Sequence, residues 1–156
     1  MEQQDQNIQQ AYSKMAQLCS RSEQCSADIR KKIMAYEIVD EIVDEIIDKL
    51  IEEKFIDDER YVKAYVKDKF KFNKWGKIKM RHYLMSKGLS DGVIQQGLDV
   101  IDEEKYKALL IKTMKDKAKT IKKKNKFEKM GQIIRFAQSR GFEPELIHRY
   151  MNLALE

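Results

Sequence analysis

Two stretches of the chain superimpose without a gap. Met80–Leu98 (MRHYLMSKGLSDGVIQQGL) lies over Ile133–Met151 (IIRFAQSRGFEPELIHRYM) at an offset of 53. Met80 falls on Ile133, Tyr83 on Phe136, Lys87-Gly88 on Arg140-Gly141, and Leu98 on Met151. A weaker copy, Ile29–Ile47, lies upstream at an offset of 51, with Ile29, Ile33, Ile38, Ile42-Val43 and Ile47 in the apolar positions. A repeat of about fifty residues is the signature of a stacked array rather than of one folded core. The expected units are 1–55, 56–101 and 102–156.

Each unit reads as three helices. Helix formers dominate, strand-type alternation is absent, and the single proline is Pro144, so the fold class is all-α. In the second and third units a basic residue plus glycine ends the middle helix. The cation suits the negative end of the helix dipole, and glycine accepts the left-handed residue that follows. Ser90 is then a helix N-cap, Pro144 a first-turn residue, and Ser26 a cap for the middle helix of the first unit. That unit has Tyr36-Glu37 where the others have basic-plus-glycine, which predicts a less regular or shifted junction. Its first helix, over Gln6–Cys19, places Ile8, Ala11, Tyr12, Met15, Leu18 and Cys19 on one face. Its third runs from about Val39 to Lys54 with a broad apolar band, suited to packing on two neighbours.

The net charge of +5 conceals blocks. Residues 37–59 hold eleven acids and two lysines; residues 60–90 hold ten Lys/Arg and one acid. Residues 91–111 carry a net −3, and 112–140 a net +9. Such blocks are usually the solvated faces of neighbouring helices, but two strongly basic segments also favour a polyanionic partner. Lysine outnumbers arginine 24 to 7, which favours point-charge attraction over bidentate base reading. Any DNA affinity is therefore expected to be non-specific and salt-sensitive.

The most suggestive stretch is KDKFKFNKWGKIKM, Lys67–Met80, which mixes six lysines with Phe70, Phe72 and Trp75. A helical wheel through 58–72 separates them. Tyr61, Tyr65 and Phe72 fall within about 40° of one another, flanked by Val62, Val66 and Phe70, while Lys63, Lys67 and Lys71 form their own stripe. The rings are expected in the core and those lysines outside, with Lys69 snorkelling from the apolar arc. On the next helix Met80, Tyr83 and Leu84 share one side and Ile78 and Met85 the other, as if neighbours packed on both flanks. Trp75, in the turn at 73–76, is either a boundary anchor or an interface hot spot.

No P-loop or GxGxxG occurs, and nothing nominates a nucleophile or general base. His82 and His148 lack neighbouring ligands. Asp57 and Asp58 read as the cap and first turn of a helix rather than a calcium loop. The acids of 37–59 read as a wet helix face rather than a metal site. The expectation is a protein that is not an enzyme and needs no cofactor or metal. Cys19 and Cys25 suit idle thiols in a reducing cytoplasm. No apolar run is long enough to span a membrane, and the N-terminus lacks the regions of a signal peptide.

Ala27–Ser90 resembles the RecX family of recombination regulators. The likeness rests on IDDERY (Ile56–Tyr61), AYV (Ala64–Val66) and the G-x-x-x-M-x-x-x-L-x-x-K-G-L array (Gly76–Leu89) in combination. It is looser through 112–130 and departs at Glu37, where glycine is usual. The resemblance implies three tandem three-helix repeats in a curved, elongated molecule. It also implies a partner, the RecA filament on single-stranded DNA. Family members lodge in that filament's groove and limit its growth, ATP hydrolysis, strand exchange and SOS co-protease activity. Expected contacts are Lys63, Lys67, Lys71, Lys74, Trp75, Lys77, Lys79 and Arg81, with Lys122, Lys123, Lys124 and Lys126 in the second basic segment. The alternative is a stand-alone helical protein binding DNA non-specifically. A repeat array this small is expected to be monomeric.

Overall fold

The structure, a computed structural model, describes residues 2–122 and 125–156. Among them are nine α-helices and no strand. α1 (Glu2–Arg21), α2 (Ser26–Met34) and α3 (Asp40–Glu52) come first. α4 (Asp58–Asp68), α5 (Lys77–Ser86) and α6 (Asp91–Leu98) follow, and α7 (Glu103–Thr120), α8 (Lys126–Ser139) and α9 (Pro144–Leu155) close the chain.

The helix starts are encoded locally. Asp57, Ser90, Asp102 and Asn125 each accept a hydrogen bond from the backbone N–H three residues on, at 3.1, 3.3, 2.9 and 2.8 Å. Pro144 occupies the first turn of α9. Ser26 departs from expectation. It lies inside α2, with Cys25 at the cap, and its N–H and hydroxyl both donate to the Asp58 carboxylate, at 2.9 and 2.8 Å. The start of α2 is thus capped from the neighbouring unit, by an acid that also opens α4.

The repeat holds at the level of single backbone bonds. Tyr36, Lys87 and Arg140 donate to the carbonyls of Ile33, Leu84 and Ala137, and Glu37, Gly88 and Gly141 to those of Met34, Met85 and Gln138. Residues 37, 88 and 141 are all left-handed, with φ of 54°, 78° and 94°. The junction at Tyr36-Glu37 is therefore regular, not shifted, because packing on either side holds Glu37 in a conformation that glycine adopts freely. That conformation costs a side-chain-bearing residue about 1–2 kcal/mol. Glu37→Gly is expected to raise stability by about 1 kcal/mol in urea unfolding, and a destabilised variant would contradict the equivalence.

The units join through their middle helices. α2 sets Asp28 against Lys87 at the end of α5, Nζ to Oδ2 2.9 Å. One unit on, the Gly76 N–H donates to the Arg140 carbonyl (2.7 Å) and the Ile78 N–H to Gly141 (2.9 Å) at the end of α8. The cores divide differently. Ala11, Ile29, Ile33, Val43 and Leu50 form a core of the first unit, closed by Ile56 at the start of the second. A second, continuous core runs from Val62 to Ala154 and takes in Cys25. Exposed surface totals 10286 Å². A compact monomer of 18.5 kDa exposes about 8,200 Å², so the array is open and extended.

Two expectations for the middle unit fail. Phe72 is 69% exposed. Residues Lys69–Asn73 form a π-helical turn that ends in left-handed Lys74, φ 58°. A π-turn inserts about one extra residue, swinging whatever follows by about 100° relative to the wheel. Phe70 stays half-buried, stacked on Tyr106 at 6.2 Å between centroids, and Phe72 turns to solvent. Phe72→Ser is expected to change unfolding free energy by less than about 0.5 kcal/mol, whereas Phe70→Ala costs at least about 1.5 kcal/mol. Equal losses in chemical denaturation would restore the simple wheel. On α5, Met80 and Leu84 are buried, but Ile78 and Met85 are 49% and 52% exposed. Neighbouring units meet α5 at its ends rather than along its flank, so the second apolar side stays open.

Candidate partner-binding surface

Lys63 and Lys67 stand one turn apart on the exposed side of α4, and Lys71 and Lys74 continue the row along the π-turn. Left-handed Lys74 folds its ammonium back onto the Lys71 carbonyl, 2.6 Å, and the Lys71 ammonium lies over the Phe72 ring at 5.3 Å. None of the four is in an ion pair among the described residues. Together with Lys105 of α7 they edge a groove of about 610 Å³. Its floor is apolar, made by Val66, Phe70, Val100, Ile101 and Leu109. Buried Tyr106, the anchor of the floor's Phe70, donates to Glu143, and both burial and that bond push its phenol pKa up.

The other expected contacts are not all free. Lys69 lays its ammonium over the rings of Tyr65 and Trp75, at 5.4 and 4.9 Å, so it snorkels as expected. Lys79 covers Trp75 at 4.6 Å and reaches the Ser139 carbonyl at 3.4 Å. Lys77 sits over the Tyr106 ring, and Arg81 donates to Gln95. Trp75 is half-buried and stacked on Tyr83 at 5.2 Å. Lys122 and Lys126 are exposed between α7 and α8; Lys123 and Lys124 lie outside the described residues. The 18-residue α7 is about 27 Å long, with Lys105 of the groove near its start and Lys122 just past its end.

Val100, Lys105 and Leu109 were not among the sequence candidates. Only tertiary packing brings α7 against the lysine row, and nothing in the local pattern marks them. The one available signal was Val100 itself, a lone apolar residue between a helix end and the Asp102 cap.

Burial pushes the phenols of Tyr61 and Tyr65, beneath this face, up to about 12, so they stay neutral. At the junction of the first two units, burial pushes the Asp28 carboxyl up, but hydrogen bonds from Lys87 and Cys25 more than reverse this and leave it lowered. The same Lys87–Asp28 bond raises Lys87. Asp28 therefore stabilises above the ordinary carboxyl range and loses that contribution as pH falls through its lowered value. Lys87 stabilises below its ordinary value and loses it as pH rises through the raised one. Lys87→Met is expected to cost about 0.5–1 kcal/mol at neutral pH. That cost should shrink as the carboxylate range is crossed into acid; a pH-independent difference in urea midpoint would contradict the clamp.

No group of three or more potential metal ligands occurs among the described residues, and none of their helices is long and apolar enough to cross a membrane. Three-helix units in series, with a cationic groove at the middle one, define a helical-repeat protein. Residues 57–98 match the family model described as RecX, second three-helix domain. Regulatory protein RecX of Clostridium tetani is 33% identical over 106 residues, 67% of this chain and 48% of that protein. Its namesake from Clostridium botulinum is 33% identical over 98 residues, 62% and 45% of the two chains. The chain thus spans about half the length of the curated relatives it matches. The crystal structure of RecX from Lactobacillus salivarius superimposes with a TM-score of 0.89 over 96% of this chain and 97% of that one, at 19% identity. A second RecX crystal structure gives 0.84 over 94% and 72%, at 22%. Those two establish the fold. Sequence and fold thus both resemble the RecX family, most specifically its second three-helix domain over residues 57–98.

Proposed function

We propose that this chain is a negative modulator of the RecA–single-stranded DNA filament. It binds in the filament groove and limits filament growth, ATP hydrolysis, strand exchange and SOS co-protease activity. The carrying observation is the row Lys63, Lys67, Lys71 and Lys74, exposed on an extended molecule and in no ion pair among the described residues. Likeness to proteins named regulatory protein RecX supports it. The units 1–55, 56–101 and 102–156 act as successive three-helix modules of one monomer, in the cytoplasm, without cofactor or catalysis. A groove between protomers is long and curved, and an open array reaches along it where a compact domain of equal mass does not.

A stand-alone helix-turn-helix reader is less well supported. The side chain of Gln95, on the candidate reading helix α6, is held by Arg81 and by Asp99 (2.7 Å) rather than presented to a base edge. Contact with single-stranded DNA is non-specific: with four phosphates neutralised, log K falls against log salt with a slope of about −3. The test is co-pelleting with RecA assembled on single-stranded DNA. The chain is expected in the pellet with the filament, and far less with the DNA alone. Equal recovery with naked DNA would favour the stand-alone reading.

A further inference from the structure

We infer that the groove between α4, the π-turn and the start of α7 is the seat for an acidic segment of the protein partner, carrying one or more large apolar side chains. The inference rests on the filament reading and says what the middle unit grips there.

The groove combines two chemistries. Its rim carries Lys63, Lys67, Lys71, Lys74 and Lys105. The one acid in the wall, Asp102, is engaged as the cap of α7, accepting from the Lys105 N–H at 2.9 Å. The rim is therefore strongly cationic and selects an anion. The floor is mostly aliphatic, and Val100 remains 60% exposed above buried Ile101. Its volume of about 610 Å³ lies within the range of about 300–1,000 Å³ typical of sites that enclose apolar ligand groups.

The floor decides which anion. Bases bind by stacking on open ring faces. The one ring in the groove, Phe70, is already stacked on Tyr106 at 6.2 Å with 25° between planes. Trp75 is taken by Tyr83 and two ammonium groups, and exposed Phe72 does not line the groove and carries the Lys71 ammonium over its ring at 5.3 Å. Aliphatic side chains under a lysine rim instead fit an amphipathic acidic segment laid into the groove. Contact with the DNA then falls to lysines elsewhere, Lys122 and Lys126 among them.

The test uses fluorescence anisotropy of a labelled peptide with glutamates and leucines at helical spacing, against the full chain. Tight, salt-sensitive binding is expected. At least tenfold should be lost when serines replace the leucines, and when the protein carries Val100→Asp. Because Val100 is exposed, this variant should keep the parent's unfolding midpoint; Val100→Ser, with a smaller loss, guards against misfolding. An oligothymidylate should not displace the peptide. Displacement, or loss of oligothymidylate binding in Val100→Asp with no peptide binding, would assign the groove to nucleic acid and overturn the inference. So would a dimer in sedimentation that Val100→Asp dissolves, since the occupant is then a second copy. The same variant in a RecA filament ATPase assay separates the two proposals. Inhibition by the parent that Val100→Asp retains sinks the groove assignment alone. Peptide binding without inhibition by the parent sinks the filament reading alone.

Discussion

Gly76→Ala and Gly141→Ala are each expected to cost about 3–5 kcal/mol, enough to break the joint between the second and third units. A Cβ on Gly76 would lie 2.3 Å from the carbonyl carbon and oxygen of Gly141. One on Gly141 would lie 2.3 Å from the Lys79 Cβ and 2.7 Å from its backbone nitrogen. Both obstacles are backbone or fixed to it, so no rotamer change relieves them. Gly141 is also left-handed, φ 94°, which adds about 1–2 kcal/mol for any side chain. The strand of contacts they interrupt includes the two bonds to Arg140 and Gly141 and the core shared by α4–α9. Gly88→Ala is the control: it is left-handed too, but its Cβ meets nothing within 4 Å, so about 1 kcal/mol is expected. Equilibrium unfolding in urea measures all three, and the double variant should cost less than the sum, since both clashes open one joint. Three equal losses would mean that conformation, not close approach, decides.

Reversing Lys63, Lys67, Lys71 and Lys74 to glutamate should abolish filament inhibition while leaving the helices folded. The four are exposed and in no ion pair among the described residues, so the stability change should stay within about 1 kcal/mol. The chain's net charge falls from +5, and the rim turns from attracting an anion to repelling it. Both steering and residence on the filament depend on that sign. A loss of at least about a hundredfold in apparent affinity is expected, together with a flatter salt dependence. Unchanged inhibition would move the contact to the other basic segment, 112–129.

Much of this was legible because it is local. Glycine after a basic residue, a serine or aspartate before an apolar run, and a fifty-residue self-similarity each reflect a constraint acting within a few residues of backbone. The Lys63–Lys67 row followed from helical spacing alone. Where the sequence misled, a longer-range term won. Phe72 kept its wheel position only until the π-turn shifted the phase. Ser26 has the chemistry of a cap but is drawn to Asp58 across the unit boundary. Glu37 looked like a broken junction because local preference opposes its conformation, and packing overrides that preference. The groove was invisible for the same reason: nearly half of it arrives on residues 100–109, the loop before α7 and that helix's first turns, some thirty to forty residues away.

The central claim is that this chain acts on a recombinase filament through the lysine face of its middle unit. The most direct test is RecA ATP hydrolysis on single-stranded DNA with the chain added well below the RecA concentration. The account predicts that the parent suppresses hydrolysis and that the four-lysine reversal, folded and monomeric, does not. Hydrolysis unchanged by the parent, while it still binds naked DNA tightly, would contradict it.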